Sequence, residues 1–273
     1  MSLVQCNINQ LQSGDIALTG IPFDAHSSFL KGPAKAPELI IDAINSDSAN
    51  FFTEQLEDIS AESRIKWVGN AKLEDYWDIE THINSILLRN AIPFSIGGDH
   101  SVTYPIVKAM AGKFPELSIL HFDAHGDLYD ILDGNKLSHA CPFARIMENG
   151  LAQNLTQVGI RTMTQHQKEQ AERFGVTVNT MKDRHQLRGL NLTGPVYLSF
   201  DMDVLDPAFA PGVSHHEPGG YSTREILDII QSLDLNIVGL DLVEYNPDRD
   251  INGVTAMVAA KIAKELISLT LAT

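Results

Sequence analysis

Six side chains in this sequence are of the kind that bind divalent metal, and they fall in three short stretches. Asp123, His125 and Asp127 end the segment Ser118-Ile-Leu-His-Phe-Asp-Ala-His-Gly-Asp127. In extended backbone the side chains at i, i+2 and i+4 point to one face. All three therefore aim at one point past the end of an apolar strand. His100 follows Gly97, Gly98 and Asp99, while Asp201 and Asp203 follow the apolar run Val196 to Phe200. Six ligands from three strands suit two ions better than one. Asp123 and Asp201, the first carboxylates of their motifs, are the natural bridges. Four carboxylates and two imidazoles without a thiolate favour Mn²⁺ over Zn²⁺, with Fe, Co or Ni as substitutes. Two ions ~3.5–4 Å apart can share one water and turn it into hydroxide at neutral pH. Each motif alone is weak, because Asp after a strand is often only a turn or cap residue. Three at three strand ends are harder to dismiss, since buried neighbouring carboxylates repel unless cations separate them.

The elements that must position these groups alternate along the chain. Strands are expected at 15–23, 65–68, 92–96, 117–122, 156–160, 176–178, 196–200 and 236–243. Helices are expected from Pro37 to Ile44, Asp75 to Leu88, Val102 to Ala111, Ser138 to Met147, Gln165 to Phe174, Thr223 to Leu233 and Thr255 to Leu271. Residues 46–60 read as a polar surface excursion, and Asp206 to Gly220 as a Pro/Gly-rich loop. Such alternation predicts a three-layer α/β/α fold with a mostly parallel sheet of about eight strands. With no repeat or linker in sight, residues 1–273 read as one domain. Ligands of such sheets sit outside the C-terminal strand ends, where His100, the 123–127 group, Asp201, Asp203 and Glu244 all fall.

Composition narrows the partners. Apolar residues make up 44% of the chain and charged residues 20%, enough for an ordinary core. The net charge of −15, with no Lys/Arg run, argues against nucleic acid or an anionic membrane. It suits a small cationic substrate, although solubility alone accounts for it. Two cysteines, Cys6 and Cys141, are too few for a disulfide framework. The N-terminus lacks a signal-peptide pattern, and no apolar run approaches the ~18 residues of a membrane span. The expected compartment is the cytoplasm.

The motifs together resemble the ureohydrolases: arginase, agmatinase, guanidinobutyrase and formimidoylglutamase. The resemblance rests on Gly97-Gly-Asp-His-Ser101, Asp123-Ala-His-Gly-Asp127, Ser199-Phe-Asp-Met-Asp-Val-Leu-Asp-Pro207 and Glu217-Pro-Gly-Gly220. Gly20-Ile-Pro-Phe-Asp24 and Glu244-Tyr-Asn-Pro247 extend it over nearly the whole chain. The layout is most similar to the plant-type arginases at Ser28-Phe-Leu-Lys-Gly-Pro33, Ser138-His-Ala140, Phe143 to Glu148 and Asn246 to Asp250. It departs at Gly126, where the family usually has Thr or Pro; glycine is expected to add backbone freedom beside the ligands.

The resemblance implies hydrolysis of a guanidino group by a metal-bridging hydroxide at a centre of two Mn²⁺ per subunit, giving urea and an amine. His100 and Asp127 would complete the shell of one ion and His125 and Asp203 that of the other, with Asp123 and Asp201 bridging. Glu244 would clamp the planar cation, and His139 would relay a proton to the leaving amine. A homotrimer or homohexamer is implied as well. The implied substrate is arginine, giving ornithine, or agmatine, giving putrescine; formimidoylglutamate and guanidinobutyrate are the sister alternatives. A reading from another chemistry is a thiol hydrolase using Cys141 with His139. A third is a non-catalytic metal-bound regulator, whose mark would be a missing ligand, and none is missing. His215 and His216 fall in the Pro/Gly-rich loop, and His121, inside an apolar strand, reads as a packed histidine. Ser28, Asn135 and Arg249 are placed by their loops to touch the far end of a substrate, and Asp24 to hold the first loop.

Overall fold

The computed structural model describes residues 3–272. Nine strands form a single sheet: β1 Val4–Gln5, β2 Ile16–Gly20, β3 Ile65–Asn70, β4 Ile92–Ile96, β5 Ser118–Phe122, β6 Asn154–Ile160, β7 Thr177–Thr180, β8 Pro195–Asp201 and β9 Asn236–Val243. The order across the sheet is β1-β3-β2-β4-β9-β8-β5-β6-β7, and each pair is parallel. Eight strands were legible as apolar runs; the ninth, β1, has two exposed residues at the edge beside β3 and is too short to carry a period. Seven helices cover the sheet: α1 Ala36–Ile44, α2 Asp78–Leu87, α3 Thr103–Lys113, α4 Pro142–Glu148, α5 Gln165–Phe174, α6 Thr223–Ser232 and α7 Val254–Leu271.

Side chains alternate between two cores. Val196, Leu198 and Phe200 of β8 join the core under α1, α6 and α7, whereas Tyr197 joins the one under α2, α3 and α4. Burial on both faces is why the strands read as continuous apolar runs.

The strand order matters more for function than the strand count. From β5 the chain runs outward through β6 to β7, then returns with β8 and β9 to fill the gap between β5 and β4. The four central strands are therefore β4, β9, β8 and β5, and each one ends in a residue singled out above. Parallel pairing puts all four ends on the same edge. One helix boundary differs from expectation in a way that bears on the site. α4 starts at Pro142, not Ser138, because proline fixes the first helical turn. His139 therefore lies in a turn closed by a hydrogen bond from Cys141 N to Ser138 O.

Candidate active site

Each strand end turns sharply. Gly97 and Gly98 leave β4 with φ of 80° and 95°, and a Cβ on either would fall within 3 Å of Pro37 or the carbonyl of Ile21. This tight turn delivers Asp99 and His100. Asp127 and Glu244, neither a glycine, also adopt the left-handed region, at φ 47° and 62°. Such conformations cost about 1–3 kcal/mol each and persist only where the surroundings enforce them. Gly126 is not among the left-handed residues, so the freedom expected there is not used. Its hydrogen instead leaves room for Met163, whose Cε lies 2.9 Å from where a Cβ would stand.

The carboxylates and imidazoles converge. His100 Nδ1 is buried and lies 3.2 Å from Asp123 Oδ2, 3.1 Å from Asp127 Oδ2 and 3.1 Å from Asp201 Oδ2. It makes no hydrogen bond with any of them. Its other nitrogen, Nε2, is 3.0 Å from Ser199 Oγ, whose own proton goes to Asp241 Oδ1 at 2.7 Å. Ser199 can then only accept from His100, so Nε2 carries a proton, and in the neutral imidazole Nδ1 presents the lone pair. Three carboxylate oxygens around one imidazole nitrogen call for positive charge between them, which a proton or a bound cation supplies. His125 Nδ1 stands 3.3 Å from Asp123 Oδ1 and 2.9 Å from Asp203 Oδ2. Asp123 thus turns one oxygen to each imidazole. Two groups that could hold a metal ion share it: His100, His121 and Asp123, and Asp123, His125 and Asp203.

The electrostatics agree with this donor set. Burial raises the Asp201 and Asp203 carboxyls, and Asp123 pushes both further up. Burial also opposes the charge on Asp123, but His121, His100 and His125 outweigh it and hold that carboxyl down. Burial disfavours charged His100 and His125 too, yet the surrounding carboxylates outweigh it and raise both. A cation would take over that role without a proton.

Beside this cluster stands the His139–Glu244 pair. His139 Nδ1 lies 2.9 Å from Glu244 Oε1, which also accepts the backbone N–H of His100 at 2.8 Å. The second Glu244 oxygen is left for a ligand, so a guanidinium would meet one oxygen before it could meet two. Burial alone would lower the His139 pKa; the Glu244 carboxylate outweighs it and raises it to about 9. His125, Asp127, His139, Asp201, Asp203 and Glu244 line one pocket, and its outer wall is Ser28, Tyr129, Leu132, Ala140 and His215. His215 packs 5.2 Å from the His139 ring and 5.9 Å from that of His125.

Two further expectations need correction, and one holds. Asn135 and Arg249 do not line the pocket; Asn135 Nδ2 bonds His26 and Arg249 bonds His216. Asp24 holds the first loop through the backbone N–H groups of Gly32 and Ala34. Cys141 is fully buried, and burial pushes its thiol up to about 12. It has neither the access nor the acidity of a nucleophile, so the thiol-hydrolase reading fails.

Four supporting residues escaped the sequence reading. His121 is more than packing: its Nδ1 accepts from Gln157 Nε2 at 3.0 Å, so its Nε2 donates to Asp123 Oδ2 at 2.8 Å. That proton makes it a brace for Asp123 and not a lone-pair ligand. Gln157 Nε2 also donates to Gly126 O, tying down the 125–127 turn. Arg161 holds the backbone carbonyls of Asp203 at 2.6 Å, Val204 at 3.1 Å and Glu217 at 2.8 Å. Asp241, wholly buried, accepts from Thr103, Tyr197 and Ser199. The available signal was periodicity: His121 and Ser199 each stand two residues before a site carboxylate, on its face of the strand.

Asp241 gives a sharp expectation. In Asp241→Asn the amide protons face hydroxyls that donate, so one buried hydrogen bond is lost at about 1–3 kcal/mol. Ser199 is then free to donate to His100 Nε2, which moves the imidazole proton to Nδ1. Affinity for divalent metal is expected to fall ~10–100-fold, read by metal titration beside urea denaturation. Unchanged affinity would count against the Nδ1 lone pair.

Parallel strands gather acids and imidazoles at adjacent C-terminal ends, with a carboxylate–histidine pair across the pocket, the donor set of a metal-dependent hydrolase. A family model described as "Arginase family" matches residues 14–268, and the chain belongs to that family. It is 45% identical over 271 residues to "Arginase 1, mitochondrial" of Arabidopsis thaliana, covering 92% of this chain and 79% of that one. It is 32% identical over 269 residues to "Agmatinase" of Bacillus anthracis, covering 94% and 92%. Among solved structures, "Arginase from Medicago truncatula" superposes with a TM-score of 0.88 at 42% identity, covering 94% of this chain and 88% of that one.

Proposed function

We propose that this chain hydrolyses the guanidino group of arginine to ornithine and urea, using two Mn²⁺ ions per subunit. One observation carries the metal reading: the buried His100 Nδ1 stands within 3.2 Å of three carboxylate oxygens from three residues. His100, Asp123, Asp127 and Asp201 would hold one ion, and His125, Asp123, Asp201 and Asp203 the other. Hard oxygen donors without thiolate suit manganese. When bound, the ions supply an activated water for attack on the guanidinium carbon. The chain's own residues do the rest. The free Glu244 oxygen takes the guanidinium by a charge-assisted hydrogen bond and fixes its carbon. His139, protonated at neutral pH through Glu244, stands ready to protonate the departing amine.

Arginine leads because the plant arginase is the more similar of the two relatives. Agmatine is the second reading, favoured by one observation: no Lys or Arg side chain lines the pocket among the described residues, so none pairs with a substrate carboxylate there. With Mn²⁺ loaded, arginine, agmatine, guanidinobutyrate and formimidoylglutamate are compared as substrates. Arginine is expected to give the highest kcat/KM, with urea and ornithine in equal amounts. A higher kcat/KM for agmatine selects the second reading, and no urea from any guanidino compound overturns both. A homotrimer or homohexamer is the expected assembly, measured by light scattering. The plant relative's name places that protein in mitochondria, so it lends the cytoplasmic expectation no support. No helix among the described residues is long and apolar enough to cross a membrane.

A further inference from the structure

We propose that Ser28 is the proton relay that recharges His139 from solvent, an inference that rests on the amidinohydrolase reading above. His139 is buried and both its nitrogens are engaged. Nδ1 faces Glu244 Oε1, which at neutral pH only accepts, so Nδ1 keeps its proton. The proton that can leave is on Nε2, and the partner of Nε2 is Ser28 Oγ at 2.9 Å. Ser28 is exposed at the mouth of the pocket. A hydroxyl accepts and donates at once, so Ser28 links a buried imidazole to bulk water.

The loop that carries Ser28 is built to hold it there. Asp99 Oδ2 accepts the backbone N–H of His26 at 3.0 Å and the hydroxyl of Ser27 at 3.1 Å. The backbone N–H of His139 donates to His26 O at 3.2 Å. The relay and the histidine it serves are thus tied through one backbone contact and one buried carboxylate.

The proton balance is simple. As the C–N bond breaks, the departing nitrogen takes the proton from His139 Nε2, leaving a lone pair there. Ser28 Oγ then gives its proton to Nε2 and takes one from water, so one proton passes from bulk to the amine. The imidazole nitrogen has a single in-plane position, so the leaving nitrogen and the hydroxyl occupy it in turn.

The test uses the Mn²⁺-loaded enzyme. Ser28→Ala is expected to lower kcat ~10²-fold, the lower end for a lost acid–base contribution, with little change in KM. Small protonated buffers such as imidazolium should restore most of that loss, because they deliver the proton directly. Ser28→Thr keeps the hydroxyl at an exposed position and should retain the wild-type rate. Buffer rescue and the threonine variant separate a relay from a packing role. A wild-type kcat in Ser28→Ala overturns the proposal, as does a loss that buffer does not restore, or a rise in KM alone. Covalent capture of Ser28 by an organophosphorus fluoride would mark a nucleophile and also overturn it. A wild-type enzyme that releases no urea removes the parent reading itself, whereas an active wild type with any of these outcomes removes only the relay.

Discussion

Asp123→Asn is expected to leave a folded protein that neither keeps its metal nor turns over. Asp123 is fully buried and divides its oxygens between two imidazoles. Oδ1 accepts the His125 backbone N–H at 2.5 Å, and Oδ2 accepts the His121 Nε2 proton at 2.8 Å. An asparagine amide must turn its own protons against one of these two donors, so the variant loses a charge and a hydrogen bond together. Several kcal/mol of Lewis-acid stabilisation follow the metal out; at about 1.36 kcal/mol per tenfold, kcat/KM should drop at least ~10³-fold. A second readout does not depend on turnover. Ligand at 100 times its Kd stabilises a fold by about 2.7 kcal/mol, which is ~5–10 °C in Tm for a chain of this size. Wild-type protein should show such a rise with Mn²⁺ and lose it to chelator, and Asp123→Asn should show neither. Two equivalents of metal in the variant, by elemental analysis, would sink the shared-carboxylate reading.

The sequence carried the ligands but not their supports, and the reason is physical. Asp123, His125 and Asp127 announce themselves because strand geometry turns alternate residues to one face. The same geometry hides His121 and Ser199, which lie inside apolar strands and read as core. What they do depends on a neighbouring strand: Gln157 of β6 sets the tautomer of His121, and Asp241 of β9 sets the direction of the Ser199 proton. Both pairings join strands consecutive in the chain and depend on register, which sets His121 beside Gln157 and Ser199 beside Asp241. Local periodicity does not encode register. Arg161 is a further case. It ends at five backbone carbonyls, and a carbonyl has no side-chain signature. Gly126 shows the converse, where a sequence departure draws attention to flexibility. The left-handed strain lies one residue on, at Asp127, and the room left by glycine is filled from Met163, 37 residues away along the chain.

Glu244→Gln separates substrate handling from metal binding. Glu244 touches no oxygen of the 123–203 cluster; its Oε1 accepts from the backbone of His100 and from His139. Glutamine keeps the length and one acceptor, so His100 stays in place and metal content should match wild type. What disappears is charge, with two separable effects. The guanidinium loses a charge-assisted hydrogen bond worth about 1.5–3 kcal/mol, a ~10–150-fold loss in kcat/KM. His139 loses the group that does most to oppose its burial and keeps only the pull of Asp127 and Asp99, so its pKa falls from about 9. The sign of the pH effect follows. At pH 8 the wild-type imidazole is still protonated and the variant's is less so, so the ratio of variant to wild-type rate should fall as pH rises from 6 to 9. Stability moves with it: a histidine raised on folding contributes fully below its unfolded pKa of ~6.5, and that contribution fades as pH rises through about 9. The variant should show a smaller fade. Rate–pH profiles of both proteins, with His139 followed by NMR, test the two halves separately. A variant that loses its metal would assign Glu244 to the metal centre, and a constant rate ratio across pH would detach it from His139.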